Sequence, residues 1–130
     1  MRVNEQNYVD EAERAILELK SMKSPNNRSI PMVTASKLRN LLAITADIYN
    51  AVLNQTGDKL PEEICSRIEY LRVRFLYEAG RETAVKNMVE KAGIIEILKS
   101  VKGSKKNYVL FNRYMEALVA FHKYYGGKDI

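Results

Sequence analysis

The stretch Glu62-Glu63-Ile64-Cys65-Ser66-Arg67-Ile68-Glu69-Tyr70-Leu71-Arg72-Val73-Arg74-Phe75-Leu76-Tyr77-Glu78-Ala79-Gly80-Arg81 decides the fold. Ile64, Ile68, Leu71, Phe75 and Ala79 follow one another at spacings of four, three, four and four. That is the period of a helix with one face in a core. Arg67, Tyr70, Arg74, Tyr77 and Arg81 form a second series at three, four, three and four. At about 100° per residue these five share a sector of roughly 80°, which no aliphatic residue of the segment enters. One helix thus carries a packing stripe beside a basic–aromatic strip. Val73 and Leu76 stand away from both, so this helix is either central or presents them to another protein.

Working outward, Pro61 fits the first position of this helix, and Glu62 and Glu63 suit its positive end. Gly80 predicts a break or bend. Before the Gly57-Asp58 turn, a helix capped by Thr34 or Ser36 runs to about Gln55. Its inner face is Leu38, Leu41, Leu42, Thr45, Ile48, Tyr49 and Val52. Lys37 and Arg39 flank that face near the N-terminus, where the helix dipole favours anions. A first helix starts after Asn4 as its cap and ends near Met22, burying Tyr8, Ala12, Ala15, Ile16 and Leu19. The loop Ser24-Pro25-Asn26-Asn27-Arg28-Ser29-Ile30-Pro31 joins the two and is the best candidate for flexibility.

Downstream, a helix from about Glu82 to Ala92 ends at Gly93. Ile94-Ile95-Glu96-Ile97-Leu98 has no second strand to pair with and reads as a short buried helix. Lys99, Lys102, Lys105 and Lys106 crowd the turn around Gly103-Ser104. A last helix from about Lys106 to Tyr125 buries Phe111, Tyr114, Met115, Leu118, Phe121 and Tyr125, and stops at Gly126-Gly127. The expectation is an all-α fold: a compact bundle of about five helices in a single domain, residues 1–130, whose residues 1–33 are the first helix plus the flexible loop.

Net charge is +5 over 130 residues, but unevenly spread. The first twenty residues carry −2 and the rest +7. Nothing acidic occurs from Met22 through Ala46. Such asymmetry favours an anionic partner for the body of the chain. No signal peptide or spanning segment is recognisable, which predicts a cytoplasmic protein with no membrane partner. Cys65, the lone cysteine, reads as a packed thiol.

Enzyme chemistry is not evident. His122, the single histidine, falls on the apolar side of the last helix, where it reads as a packing residue. HEPN-type ribonucleases pair a histidine with a close upstream arginine, whereas eight residues separate Arg113 from His122. Glu62 and Glu63 are explained by the helix dipole. Glu116, near Arg113, reads as a surface charge. There is no paired-cysteine metal spacing and no phosphate-cradling glycine loop, so no cofactor and no metal is expected. A helix-turn-helix around Gly80 would offer Glu82, Lys86, Asn87 and Glu90, a mixed face rather than a base-reading one.

The strip suits nucleic acid better. Arginine grips phosphate in a fixed fork, and tyrosine offers a stacking face and a hydroxyl. The competing reading is a solvated face whose arginines pair with Glu63 and Glu78 at i,i+4, each pair worth about 0.3–0.5 kcal/mol.

Three segments carry a resemblance: Thr34-Ala35-Ser36-Lys37-Leu38-Arg39-Asn40-Leu41-Leu42, then Tyr70 through Glu82, then Tyr114 through Gly127. In this order they are similar to the small helical subunit of the type III-A (Csm) CRISPR effector complex. The similarity runs across most of residues 34–128, while 1–33 and 98–107 match in character alone. It implies a non-catalytic protein stacked in several copies beside the backbone subunits. Such a protein contacts the large subunit and helps hold guide RNA and target RNA. Under that resemblance the RNA-binding candidates are Lys37, Arg39, Arg67, Tyr70, Arg74, Tyr77 and Arg81. The alternative is a purely architectural helical subunit with no direct RNA contact. Arg72 lies on another side of its helix, towards a protein neighbour.

Overall fold

Burying the apolar stripes produces six α-helices in the computed structural model, which describes residues 1–126. They are α1 (Tyr8–Lys20), α2 (Ala35–Leu53), α3 (Glu62–Arg81), α4 (Thr83–Ala92), α5 (Ile94–Lys99) and α6 (Lys105–Tyr124). No strand occurs among the described residues, so the fold is all-α as the periodicity predicts. Counting the six-residue α5 makes six helices where about five were expected.

α6 is the post of the bundle and packs against α1 and α2, while α4 joins α1 to α3. α3 rests on α2, α4 and α5, with its far side uncovered. Val73 and Leu76 are each 53% exposed there, which decides between the two sequence alternatives: α3 is an edge helix. Its inner stripe is buried as expected, with Phe75 meeting Phe111 edge-on at 6.4 Å between ring centroids. Such an aromatic pair adds about 0.5–1.5 kcal/mol beyond the area it buries.

Two interior phenols stitch α6 to its neighbours. Tyr108 donates to the Thr45 carbonyl and Tyr114 to the Ala92 carbonyl, both at 2.8 Å. Burial pushes the Tyr114 phenol up to about 12, and raises that of Tyr108 as well. Leu42, Tyr49, Tyr8, Phe121 and Tyr125, expected inside, are half-buried against the core.

Element ends depart from the sequence reading in instructive ways. Thr34, rather than Ser36, caps α2, its hydroxyl accepting from Lys37 N–H at 3.2 Å. Asn4 closes the turn before α1, its Oδ1 accepting from Gln6 N–H and Asn7 N–H, each at 2.9 Å. Helix α1 begins later, at Tyr8, and ends at Lys20. Pro61 is the N-cap of α3 rather than its first helical residue. The expected break at Gly80 does not occur: the helix runs on to Arg81, and Glu82, extended at φ −132° and ψ 122°, turns the chain into α4. An exposed glycine in a helix costs up to about 1 kcal/mol but does not by itself end it.

The segment read as a flexible loop is closed by hydrogen bonds, from Ser24 N–H to the Arg28 carbonyl at 2.8 Å and from Ile30 N–H to the Met22 carbonyl at 3.0 Å. Asn27 occupies a left-handed conformation there, which asparagine tolerates. The lysine-rich turn is clamped by Asp58, whose Oδ1 accepts from Lys106 N–H at 2.9 Å. That backbone bond holds the Asp58 carboxyl below its usual range. Ser104 caps α6, which begins at Lys105 and ends at Tyr124; Gly127 lies outside the described residues.

Gly93 is demanded by its backbone. Its φ is +66°, and the Arg2 side chain lies where a Cβ would project, its guanidinium donating to the Lys91 carbonyl at 2.8 Å. We therefore expect Gly93→Ala to destabilise the chain by at least about 1–2 kcal/mol. Gly80→Ala, with open space around it, should stabilise by up to about 1 kcal/mol. Shifts of opposite sign in the urea midpoint check the pair.

Candidate nucleic-acid interface

The edge position of α3 sets the site. With Ile68, Leu71 and Phe75 committed inward, the basic–aromatic strip faces out of the bundle along the α2–α3 groove. Tyr70 and Tyr77 are 61% and 60% exposed, and Arg67 and Arg81 are exposed too. Arg74 is half-buried. Tyr70, Arg74, Tyr77 and Arg81 line one shallow depression of about 420 Å³ together with Val73 and Glu78. The strip therefore has an apolar border that the helical sector did not include. Arg67 and Tyr70 also line a neighbouring cleft of about 420 Å³ with Ile44, Asp47 and Ile48 of α2.

Ion pairing divides the strip. Among the described residues neither Arg67 nor Arg74 has a carboxylate partner. Glu63 and Glu78 do not take them up at i,i+4. Glu78 turns instead to Arg81, at 3.3 Å, and across the groove to Lys37, at 3.0 Å. Lys37 also lies 3.6 Å from Glu82. The Lys37 hydrogen bond, opposed by burial, holds the Glu78 carboxyl below its usual range, and the same bond raises the Lys37 ammonium. Lys37 is thus part of a tie between the start of α2 and the end of α3. Arg39 is exposed on the first turns of α2 and is also engaged. Arg72 pairs with Glu69 at 2.7 Å on another side of α3. The guanidinium of Arg81 stands 5.6 Å from the Tyr77 ring centroid.

Glu78 is the residue that sequence reasoning underrated. It is 7% exposed, and its signal was available: it lies seven residues after Leu71 and three after Phe75, on the edge of the buried stripe. A carboxylate there must find cations or remain uncompensated.

Of the groups weighed for other chemistry, His122 and Cys65 are engaged in packing. His122 is buried with Nε2 2.6 Å from the Val33 carbonyl, joining α6 to the segment before α2. Cys65 Sγ lies 3.6 Å from the Leu60 carbonyl. Glu116 is exposed beside Asn112. Tyr125 donates to Glu13 at 2.6 Å, whereas Tyr124 is 80% exposed. Among the described residues no group of three His, Cys, Asp or Glu side chains could hold a metal ion, and no helix is long and apolar enough to cross a membrane.

This arrangement has relatives. The profile of the family described as Csm2 Type III-A matches residues 7–128. The chain belongs to that Csm2 family. The match begins at residue 7, just before α1, upstream of the three segments that carry the resemblance in the sequence. The Streptococcus thermophilus CRISPR system Cms protein Csm2 is 42% identical over 127 residues, covering 98% of each chain. The Mycobacterium tuberculosis (strain CDC 1551 / Oshkosh) protein of that name is 37% identical over 129 residues, 99% of each. That of Enterococcus italicus is 41% identical over 95 residues, covering 72% of this chain and 68% of its own.

The Lys37–Glu78 tie generates a pH prediction for this Csm2 family member. Because the carboxyl of Glu78 is lowered by folding, its contribution is present above the ordinary value of 4.5 and lost as pH falls through the lowered one. Glu78→Gln should remove part of the acid-side loss of thermal stability and leave the slope above pH 6 unchanged, as followed by circular dichroism melts.

Proposed function

We propose that the protein is the non-catalytic small subunit of a type III-A CRISPR ribonucleoprotein complex, and that it holds guide RNA and target RNA through backbone contacts made by α3. The observation that carries this reading is the outward strip on an edge helix, with Arg67 and Arg74 unpaired among the described residues and Tyr70 and Tyr77 exposed between and beyond them. Family membership supports the setting, since the relatives are described as CRISPR system proteins.

The geometry suits a strand followed along its backbone. Arg67 and Arg74 are seven residues apart, about 10 Å along a helix axis, which is about three stacked nucleotides at 3.4 Å each. The tyrosines repeat at the same interval and offer faces that any base can use. Grip without sequence readout is what RNA-guided recognition asks of its protein parts, because base pairing carries the sequence. Lys37, Arg39 and Arg81 have partners within the chain, so in this proposal they are secondary contacts. In the complex the protein works in several copies beside the backbone and large subunits, in the cytoplasm. Stacking copies multiplies weak contacts through effective concentration.

The competing reading is the architectural subunit without RNA contact. The exposed Val73 and Leu76 favour a protein neighbour on that side of α3. Val73 also borders the depression lined by Tyr70, Arg74 and Tyr77, so the two readings compete for one edge of the helix.

Measurement of target-RNA retention by the assembled complex against salt tests the proposal. Each phosphate contact to a single strand contributes about −0.7 to the slope of log affinity against log salt, so Arg67→Gln with Arg74→Gln should flatten it by about 1.4 for each copy in contact with the RNA. The melting temperature should barely move. An unchanged slope would leave the architectural role alone standing.

A further inference from the structure

We infer that Glu78 is an internal stand-in for phosphate, an autoinhibitory contact that withholds Arg81 and Lys37 from RNA until a strand displaces it. The inference rests on the RNA reading of the strip. Its grounds are geometric. Two cations from two helices converge on one carboxylate: Oε2 takes the Lys37 ammonium at 3.0 Å, and Oε1 takes the Arg81 guanidinium at 3.3 Å. These are the donor types that grip phosphate oxygens, held here by an acceptor of like charge whose two oxygens take one cation each.

Charge counting separates the two ends of the strip. Lys37 and Arg81 are matched by Glu78 and Glu82, which makes the Gly80 end of α3 locally neutral. Arg67 and Arg74 have no such match among the described residues. For Arg81 to neutralise a phosphate it must first leave Glu78. That step is opposed, because Glu78 is 7% exposed and would keep one cation fewer in a poorly solvated place. Arg81 also lies against the Tyr77 ring, so the closed contact occupies one side of a stacking group as well. The fully engaged state therefore needs an incoming strand that has already been seated by Arg67 and Arg74.

Salt slopes of target-RNA retention by the assembled complex test this. Arg74→Gln should flatten the slope by about 0.7 per copy in contact, and Arg81→Gln in the otherwise native chain by much less, because Arg81 exchanges one anion for another and the Glu78 it leaves takes up a cation. With Glu78→Gln present, Arg81 is released while Lys37 keeps Glu82, so the slope should steepen by about 0.7 per copy in contact, and adding Arg81→Gln should now remove that gain. Glu116→Gln makes the same change in net charge on the exposed side of α6 and should leave the slope unaltered. If Arg81→Gln flattens the slope of the native chain as much as Arg74→Gln does, the inference is overturned while the RNA reading stands. Equal steepening by Glu116→Gln would overturn it too, as an effect of overall charge. If neither Arg67→Gln nor Arg74→Gln changes the slope, the RNA reading falls and takes this inference with it. Should Glu78→Gln fail to fold, the comparison of Arg81→Gln with Arg74→Gln decides alone.

Discussion

The buried stripe of α3 is the constraint on which the remaining geometry depends. Phe75 is fully enclosed and meets Phe111 of α6 edge-on, while Ile64, Ile68 and Leu71 are buried on the same stripe of a helix that packs against α2, α4 and α5. Once those side chains are inside, a rigid helix leaves no freedom in where Tyr70, Arg74 and Tyr77 point. Packing, not a loop, therefore aims the strip. Groups carried on a rigid element lose little conformational freedom when they engage a ligand. Replacing Phe75 by a small residue would cost about 3–5 kcal/mol and would disturb the aim of the strip along with the core.

A second, polar constraint crosses the same groove. Glu78 is placed by the apolar period at the edge of the core, where a lone charge would be costly. Lys37 and Arg81 compensate it from two helices. The pairing fixes the start of α2 against the end of α3, and it divides five similar-looking residues into an open half and a closed half. Under the proposed RNA contact, stability and binding would draw on the same cations there, because the residues that hold α2 to α3 are already paired with carboxylates.

Much of this was legible in the chain itself. The helical period of residues 62–81, the glycine at 93 and the short apolar helix after it all follow from local rules that tertiary packing does not overturn. The three family-like segments are continuous in sequence, which is why family membership could be read there as well. What escaped is what depends on distance. Glu78 meets Lys37 forty-one residues away, and no periodicity within α3 could select that partner over Arg74 at i,i+4. Gly80 misled because glycine permits a break without requiring one, and the extended backbone of Glu82 supplied it instead. Asn4 bears the side chain of a cap but spends it on the turn before α1.

Ultraviolet crosslinking of the assembled complex to bound target RNA, followed by peptide mapping, tests the central claim most directly. Trypsin cuts after Arg67, Arg72, Arg74 and Arg81, so Tyr70 and Tyr77 fall on separate peptides, residues 68–72 and 75–81. The account predicts nucleotide adducts on both. Adducts confined to other helices, with those two peptides unmodified, would contradict it.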